Sequence, residues 1–169
     1  MKAKILECAI EKLIPALIRS GIRTEMPSIH NNWRFNFNKH FNLPNSRAFI
    51  LVTEENHKQI EGCLIFQMRE KTIPYMSFIE IAPHNIGKKK KYDFVAGCLI
   101  AYAFQQSLNL GKGDYKGALL FDVKEEHESD QIKLMALYSK KYNAKYIGGT
   151  RMGIFDDDGN ILITEYLER

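Results

Sequence analysis

The sequence has few cysteines, no long apolar run and little net charge, and each shortage excludes a class of protein. The three cysteines, Cys8, Cys63 and Cys98, are odd in number and form no CxxC pair. Neither a disulfide scaffold nor a zinc site of paired cysteines is therefore indicated, and buried, reduced thiols in a cytoplasmic protein are the simplest interpretation. No apolar run is long enough to cross a membrane, so no membrane segment is predicted.

The net charge is only +4, and the run Lys88–Lys91 carries four positive charges by itself. The rest of the chain is close to neutral, which argues against a nucleic-acid partner bound through a broadly basic surface. A single local site for an anion fits this distribution better. The five histidines are scattered and form no cluster with one another or with cysteine, so no metal site is predicted.

What the chain does contain is the composition of a soluble globular protein, with 45% hydrophobic and 26% charged residues over 169 positions. This length favours one domain, residues 1–169, with a variable N-terminal part over residues 1–46. Within that part, apolar spacing predicts a helix over Lys4–Ser20 that Pro15 would kink or split. Alternation of Trp33, Phe35 and Phe37 with polar residues suggests a short half-buried strand. Such an aromatic-rich connection could line a substrate pocket, or its rings could plug one end of the core.

The remaining elements follow from apolar runs bounded by turn residues. The predicted strands are Arg47–Thr53, Ile60–Arg69, Tyr75–Ala82 and Gly117–Val123, and the predicted helices are Phe94–Leu110 and Asp130–Tyr142. A final hairpin of strands Lys145–Phe155 and Ile161–Leu167 is predicted around the turn sequence DDDGN, with Gly159 in the turn. The fold class is therefore mixed α/β, with a mostly antiparallel sheet, a central βαβ crossover and flanking helices.

The stretch Tyr75–Gly111 organises the rest of the chain. A strand ends at Pro83, a basic loop follows, and a long apolar helix begins directly after Lys88–Lys91. A helix N-terminus offers unpaired backbone N–H groups and partial positive charge, so this order predicts a binding site for a phosphate-bearing ligand. The alternative is that the lysines form a solvated loop without a ligand, as most charge runs do.

Two motifs in this stretch carry a family resemblance. The strand ends in Ile81–Ala82–Pro83, and the segment Lys91–Ala96, with Gly97 directly after it, leads into the start of the helix. In order of elements and in these motifs the chain, from about residue 47 onwards, resembles the GCN5-related N-acetyltransferases (GNAT), a superfamily that uses acetyl-CoA. The family's pyrophosphate loop has the form Gln/Arg-x-x-Gly-x-Gly/Ala. Lys91 stands here at the Gln or Arg position and Phe94 at the first glycine position.

The resemblance implies a set of residues around acetyl-CoA. Backbone groups of Ile81, Ala82 and Pro83 would hold the pantetheine, and the N–H groups of Phe94, Val95, Ala96 and Gly97 would hold the diphosphate, with Lys91 and Tyr92 of the same loop contributing. His84 and Asn85, just past the strand, are predicted to contact the acceptor. For His84, a solvated loop position is the alternative.

Glu80 is the candidate general base. It shares a strand face with Phe78 and Ala82, and a carboxylate in such a strand is costly to bury without a partner or a task. Near the coenzyme it could take a proton from the attacking amine. The alternative is a structural carboxylate that pairs with a lysine or binds an acceptor's positive charge.

Tyr138 is the candidate general acid, because a phenol near the coenzyme sulfur could reprotonate the leaving thiolate. In the family such a tyrosine lies near the end of the late helix. Counted strictly from Asn143 it would fall on Ser139, and a shift of one residue restores Tyr138. The alternative is a core tyrosine at helical spacing from Leu134 and Met135.

The function predicted from these residues is transfer of an acetyl group from acetyl-CoA to a primary amine by direct attack. The acceptor would be a small molecule or a protein amine, and a homodimer is left open. One alternative is a module of the same fold that binds CoA or another phosphate ligand without turnover. The other, less favoured, is a nucleic-acid-binding protein that uses Lys88–Lys91 with the aromatic segment.

Overall fold

The computed structural model describes residues 1–169 and contains nine strands and four helices. The strands are β1 (Lys2–Glu7), β2 (Lys12–Ser20), β3 (Ser46–Thr53), β4 (Gly62–Arg69), β5 (Ile73–Ile81), β6 (Tyr92–Asp93), β7 (Ala118–Asp122), β8 (Lys145–Gly148) and β9 (Arg151–Phe155). The helices are α1 (Phe37–His40), α2 (Val95–Leu110), α3 (Glu128–Tyr142) and α4 (Asp156–Tyr166). None of the helices combines the length and hydrophobicity that a membrane crossing needs.

All nine strands belong to one sheet in the order β6-β1-β2-β3-β4-β5-β7-β9-β8. Every pair is antiparallel except β5 and β7, which are parallel neighbours joined through α2. Parallel neighbours need a crossover connection, and the buried apolar helix α2 supplies it. The predicted mixed α/β sheet with a central βαβ crossover is therefore confirmed.

The two faces of the sheet are covered differently. On one face, α2 and α4 pack into a core cluster of 26 buried residues that includes Leu64 and Phe66 of β4. On the other face, the segment between β2 and β3 closes a smaller cluster of nine, which contains Trp33 and Phe37. The rings of Trp33 and Phe37 meet edge to face, with centroids 5.9 Å apart. The prediction that the rings of this segment plug one end of the core is thus confirmed for Trp33 and Phe37.

The predicted short strand over Trp33–Phe37 is wrong. A 3-10 turn over Ile29–Asn31 and the four-residue helix α1 occupy this region instead. Asn32 takes a left-handed conformation, with φ 63°, directly before the tryptophan. Such a residue turns the chain rather than extending it, so the alternation of aromatic and polar side chains reflects a folded loop.

The predicted N-terminal helix is also wrong, because Lys4–Ser20 forms most of the hairpin of β1 and β2. Ala3 and Ile5 of β1 and Ala16 and Ile18 of β2 are buried at alternate positions, which is the period of a strand. Pro15 would cost about 3 kcal/mol inside a helix. In β2 it lies opposite Lys4, and its carbonyl accepts a hydrogen bond from Glu54 N–H.

At the C-terminus, the predicted hairpin around DDDGN is a helix. The first predicted strand is split into β8 and β9 by a turn at residues 149–150, and α4 begins at Asp156. Three aspartates lie in the first turn of α4, where the positive end of the helix dipole stabilises their negative charges. Leu162 and Tyr166, four residues apart, are buried on one face, which is helical spacing.

Candidate active site

The strands β5 and β7 diverge and leave a fork in the sheet. Their only paired positions are Tyr75 and Leu120. Directly beyond, the register between β4 and β5 shifts so that Met76 and Phe78 oppose the neighbouring residues Phe66 and Ile65, and Ser77 is a surplus residue. A bulge of this kind bends its strand and increases its twist. The remaining length of β5 therefore has an edge without a strand partner on the β7 side.

A cavity of about 100 Å³ lies in the fork. Its walls come from β5, from the end of β7, from α3 and from the loop before α1; they include Ser77, Ile79, Phe121, Asp122, Leu134, Tyr138, Arg34 and Phe35. Tyr138 thus lies at the mouth of the fork, on α3. The last turn of α3 is one residue wider than an α-helical turn, since Asn143 N–H donates to the carbonyl of Tyr138.

The phenol of Tyr138 has no hydrogen-bond partner within the chain, while its ring packs 4.9 Å from the ring of Phe121. Burial, with a smaller contribution from the charge of Glu125, raises the pKa of Tyr138 to about 12. The hydroxyl is therefore protonated at neutral pH and free to donate. Tyr138 packs against the core and also lines the fork cavity, so its role as general acid stays a prediction.

A second cavity, of about 250 Å³, lies at the N-terminus of α2. Among its walls are seven predicted cofactor or acceptor residues: Ile81, Asn85, Tyr92, Phe94, Val95, Ala96 and Gly97. Lys90, Asp93, Leu137 and Lys141 are among the other residues of the wall. Residues of both β5 and α3 line each of the two cavities, which are together called the groove.

The backbone at Phe94 has the conformation that a glycine would allow. Its φ is 71°, in the left-handed region, and it is the residue directly before α2. The side chain turns towards the C-terminus, where the Arg169 guanidinium lies 3.9 Å from its ring centroid and the Tyr166 ring packs edge to face. No side chain caps α2. The N–H groups of its first turn are thus available to an anion.

Asp93 places a carboxylate beside these N–H groups. Its Oδ1 accepts the Phe94 N–H at 2.7 Å, and Lys90 Nζ lies 2.5 Å from Oδ2. Lys141 Nζ approaches Oδ1 at 4.0 Å from α3. Partial burial opposes ionisation, but the bond from Lys90, the Phe94 N–H and the charge of Lys141 together lower the pKa of Asp93.

The four lysines of the basic loop have different surroundings. Lys90 lines the cavity at α2, whereas Lys88 and Lys89 are exposed and outside it. Lys91 Nζ lies 4.8 Å from the Tyr92 ring centroid, and its backbone bonds to His84 and Cys8. The prediction that Lys91 itself contacts the cofactor has no support from this placement, whereas Lys90 is in reach.

The end of β5 faces a different cavity. Ala82, Pro83 and His84 line an open, polar pocket of about 680 Å³ between the β5 end and the loops around Thr24–Trp33. His84 Nε2 lies 2.5 Å from Oε2 of Glu61, a carboxylate that is 1% exposed. A ligand in the groove at α2 would meet Ile81 rather than these three residues. Their predicted contacts with the pantetheine or the acceptor stay predictions.

Asn85 is buried and ties several segments together. Its Nδ2 donates to both the carbonyl and Oε2 of Glu61, at 3.2 and 2.8 Å. Its Oδ1 accepts the Tyr92 N–H at 3.0 Å, which holds β6 beside the end of β5. These contacts use the amide for the shape of the loop, so they favour a structural role over the predicted contact with an acceptor.

Glu80 has partners that sequence reasoning did not supply. Its two oxygens accept the backbone N–H groups of Arg34 and Phe35, at 2.6 and 2.9 Å. The carboxylate therefore anchors the loop that forms one wall of the fork cavity. Each oxygen keeps a further lone pair, and the role of general base stays a prediction.

Three polar residues of the groove were missed by sequence reasoning: Asp122, Arg34 and Lys141. Asp122 ends β7 at the fork and accepts hydrogen bonds from the hydroxyl groups of Tyr75 and Thr150. Arg34 Nη1 donates to Glu125 Oε1 at 2.8 Å, across the mouth of the cavity. Asp122 and Arg34 each lie between apolar neighbours in the sequence, and Lys141 follows Lys140, so no local pattern marks them as site residues. Only long-range packing brings them to the groove. No three His, Cys, Asp or Glu side chains come together as metal ligands.

Several solved structures are similar to this chain, although their sequences differ from it widely. No family model matches the sequence, and no curated protein matches it. A mutant of the spermidine N-acetyltransferase SpeG from Vibrio cholerae is 21% identical, with a TM-score of 0.57 over 85% of this chain and 95% of that chain. A second SpeG mutant from Vibrio cholerae is 20% identical, with a TM-score of 0.58 over 86% and 96%.

A mutant of the AtaT toxin, bound to the C-terminus of the antitoxin AtaR and to acetyl-CoA, is 13% identical, with a TM-score of 0.54 over 88% of this chain and 98% of that chain. SpeG and AtaT both have the GNAT fold. The agreement spans nearly the whole of each solved chain, and the sheet with its crossover helix α2 has the same architecture. The chain therefore has the fold of the GCN5-related N-acetyltransferases, as the motifs around Pro83 and Phe94 predicted.

Proposed function

We propose that this protein is an N-acetyltransferase that moves the acetyl group of acetyl-CoA to a primary amine by direct attack. One observation carries the proposal. A protonated, unpartnered phenol, that of Tyr138, lies at the fork of the sheet, and the same groove leads along β5 to an uncapped helix N-terminus. A phosphate-bearing thioester needs both ends of such a groove, one for its diphosphate and one for its leaving sulfur.

The residues of the groove fit the coenzyme. Lys90 and Lys141 lie at its charged end, beside the N–H groups of the first turn of α2. Ile86 and Leu137, also in the wall, are apolar side chains with 59% and 49% of their surface exposed. Apolar surface left open on both sides of a groove is what a pantetheine or adenine would cover. The unpaired edge of β5 beyond Tyr75 offers backbone groups along the way.

Acetyl-CoA supplies an acetyl group that is activated as a thioester. Tyr138 holds its proton at neutral pH and donates it at the fork, where the sulfur leaves. The amine has to lose a proton before it attacks, and Glu80 remains the candidate base for this step. Asp122, which stands at the end of β7, is a carboxylate that can hold the amine in place before deprotonation.

The acceptor enters from the sheet face that carries Phe35 and Phe78, since these residues line the fork on the side away from α2. A primary amine on a small molecule or on a protein would fit this opening. Spermidine, the amine named for the Vibrio cholerae enzymes, is the first acceptor to test.

The test combines binding and turnover. We expect titration calorimetry with acetyl-CoA to give a measurable heat, and thiol release to depend on an added amine. Tyr138→Phe should lower the rate of thiol release by about 100-fold, because the proton donor is lost, with the Kd for acetyl-CoA unchanged. Tyr146→Phe, at an exposed edge-strand tyrosine, is the matched control and should have no effect.

Two results would overturn parts of the proposal. Absence of heat at millimolar acetyl-CoA with folded protein would refute the coenzyme site and the chemistry built on it. Clear binding without thiol release across a broad panel of amines would instead establish the alternative, a CoA-binding module of the same fold without turnover.

A further inference from the structure

We propose that Asp93 is a built-in stand-in for the diphosphate of the coenzyme: its carboxylate occupies the partners that the ligand needs and must give them up when the ligand binds. This inference rests on the proposed function, since it concerns the same groove. It assigns Asp93 a role in controlling ligand affinity, which neither the motif nor the fold supplies.

The contacts of Asp93 are those of a bound phosphate. Two ammonium groups, from Lys90 and Lys141, lie 2.5 and 4.0 Å from its oxygens, and the Phe94 N–H donates to it at 2.7 Å. The two lysines come from different elements, the loop before β6 and helix α3, so the carboxylate joins both walls of the groove. Ammonium groups and N–H groups at a helix start are the donors that phosphate oxygens recruit.

The charge of Asp93 opposes a second anion at this position. Its side chain keeps 26% of its surface exposed, and its lowered pKa leaves it ionised at neutral pH. Two anions within a few ångströms of each other repel strongly in a partly buried site. The diphosphate therefore cannot simply be added to the ligand-free arrangement, and the carboxylate has to swing away and release its lysines.

Binding of acetyl-CoA is thus an exchange of one anion for another. The lysines are engaged before and after, so the ligand gains less from them than free lysines would provide. Removing the charge at position 93 should strengthen the binding of ligands that carry the diphosphate. It should leave unaffected a ligand that has the thioester and the pantetheine but no diphosphate.

The experiment is titration calorimetry on the full chain with two ligands, acetyl-CoA and S-acetylpantetheine. We expect Asp93→Asn to lower the Kd for acetyl-CoA by about tenfold and to leave the Kd for S-acetylpantetheine unchanged. Asp158→Asn is the matched control: Asp158 also pairs with a lysine, Lys145, its side chain is 29% exposed, and it lies outside the groove. This control should change neither Kd.

Asp93→Ser provides a second variant that keeps an oxygen near the Phe94 N–H but removes the charge, and it should behave like Asp93→Asn. An unchanged or higher Kd for acetyl-CoA in both variants, with folding confirmed by circular dichroism, would refute the proposed role of Asp93 as a stand-in for the diphosphate. Equal tightening for both ligands would overturn it as well, because the effect would then be structural. Failure of the wild-type chain and both variants to bind acetyl-CoA would refute the proposed function itself.

Discussion

Phe94 stands where the family motif has its first glycine, yet the backbone at this position keeps a conformation typical of glycine. A left-handed conformation costs a bulky residue about 1–2 kcal/mol, so something must hold it. Here the ring is fixed between Tyr166 and the guanidinium of Arg169, both at the C-terminal end of the chain. The start of α2 therefore keeps the conformation that glycine would give, and its N–H groups remain directed at the groove.

Asp93, next to Phe94, has an effect on stability that is opposite to its proposed effect on ligand binding. Its pKa is lowered in the folded chain, so it stabilises the fold above its unfolded pKa of about 4, and this contribution is lost as the pH falls through the folded pKa. We expect Asp93→Asn to lower the free energy of unfolding by about 1 kcal/mol at pH 7. Urea denaturation at a series of pH values should show this difference shrinking towards acid; a difference that stays constant would contradict the ion-pair explanation.

At the scale of elements, α2 and α4 cross through reciprocal contacts between glycine and an aromatic ring. Gly97 of α2 lies under the ring of Tyr166, and Gly159 of α4 lies under the ring of Phe104. A Cβ at either glycine would overlap the opposing ring. The two contacts lie at opposite ends of the crossing, which runs antiparallel. Gly159 thus serves close helix packing, whereas its neighbours in the sequence suggested a turn.

Gly159→Ala tests this contact. Alanine favours a helix by about 1 kcal/mol over glycine, but overpacking against Phe104 costs about 1–3 kcal/mol. We expect a net loss of about 1 kcal/mol, which in a chain of this size lowers Tm by about 3 °C. Asn160→Ala, at the exposed neighbouring position of α4, should leave Tm unchanged or raise it. A rise in Tm for Gly159→Ala would show that the helices can separate without cost.

At the scale of the whole molecule, a loop from the N-terminal part spans the fork. Glu80 holds its backbone on one side, and the side chain of Arg34 reaches Glu125, in the connection between β7 and α3, on the other. Hydrogen bonding to Glu125, assisted by the nearby charges of Glu80 and Glu126, raises the pKa of Arg34. The cavity with Tyr138 is thus closed by residues distant in sequence, and solvent access depends on these contacts.

Glu80→Gln separates two roles of this carboxylate. If Glu80 is an anchor, as its contacts indicate, the glutamine keeps one acceptor oxygen and loses the other. We then expect the free energy of unfolding to fall by about 1–2 kcal/mol, with less than a tenfold change in amine-dependent thiol release. A loss of about 10²–10⁴ in rate at unchanged stability would instead identify the general base. Glu125→Gln, which weakens the Arg34 contact but leaves the backbone bonds, is the control.

The parts of the fold that could be predicted are those fixed by local pattern. The strand Tyr75–Ala82 and the helix Phe94–Leu110 have long apolar runs and clear ends, and their order predicted the fold. The hairpin of β1 and β2 was missed because its apolar residues fit a helical period as well, and its pairing with β3 and β6 is non-local. Lys141 and Asp122 were missed for a related reason, since only the packing of α3 and β7 against β5 brings them to the groove.

Ser77 has a consequence for how such a protein can gain or lose its cleft. The surplus position, and not the chemistry of its hydroxyl, bends β5, and the core residues on either side of it already face consecutive partners on β4. Deletion of this single codon would therefore allow β5 and β7 to pair further along their length while the hydrophobic core stays intact. Insertion or deletion of one residue at this position would open or close the ligand-binding cleft without changing the chemical character of any other residue.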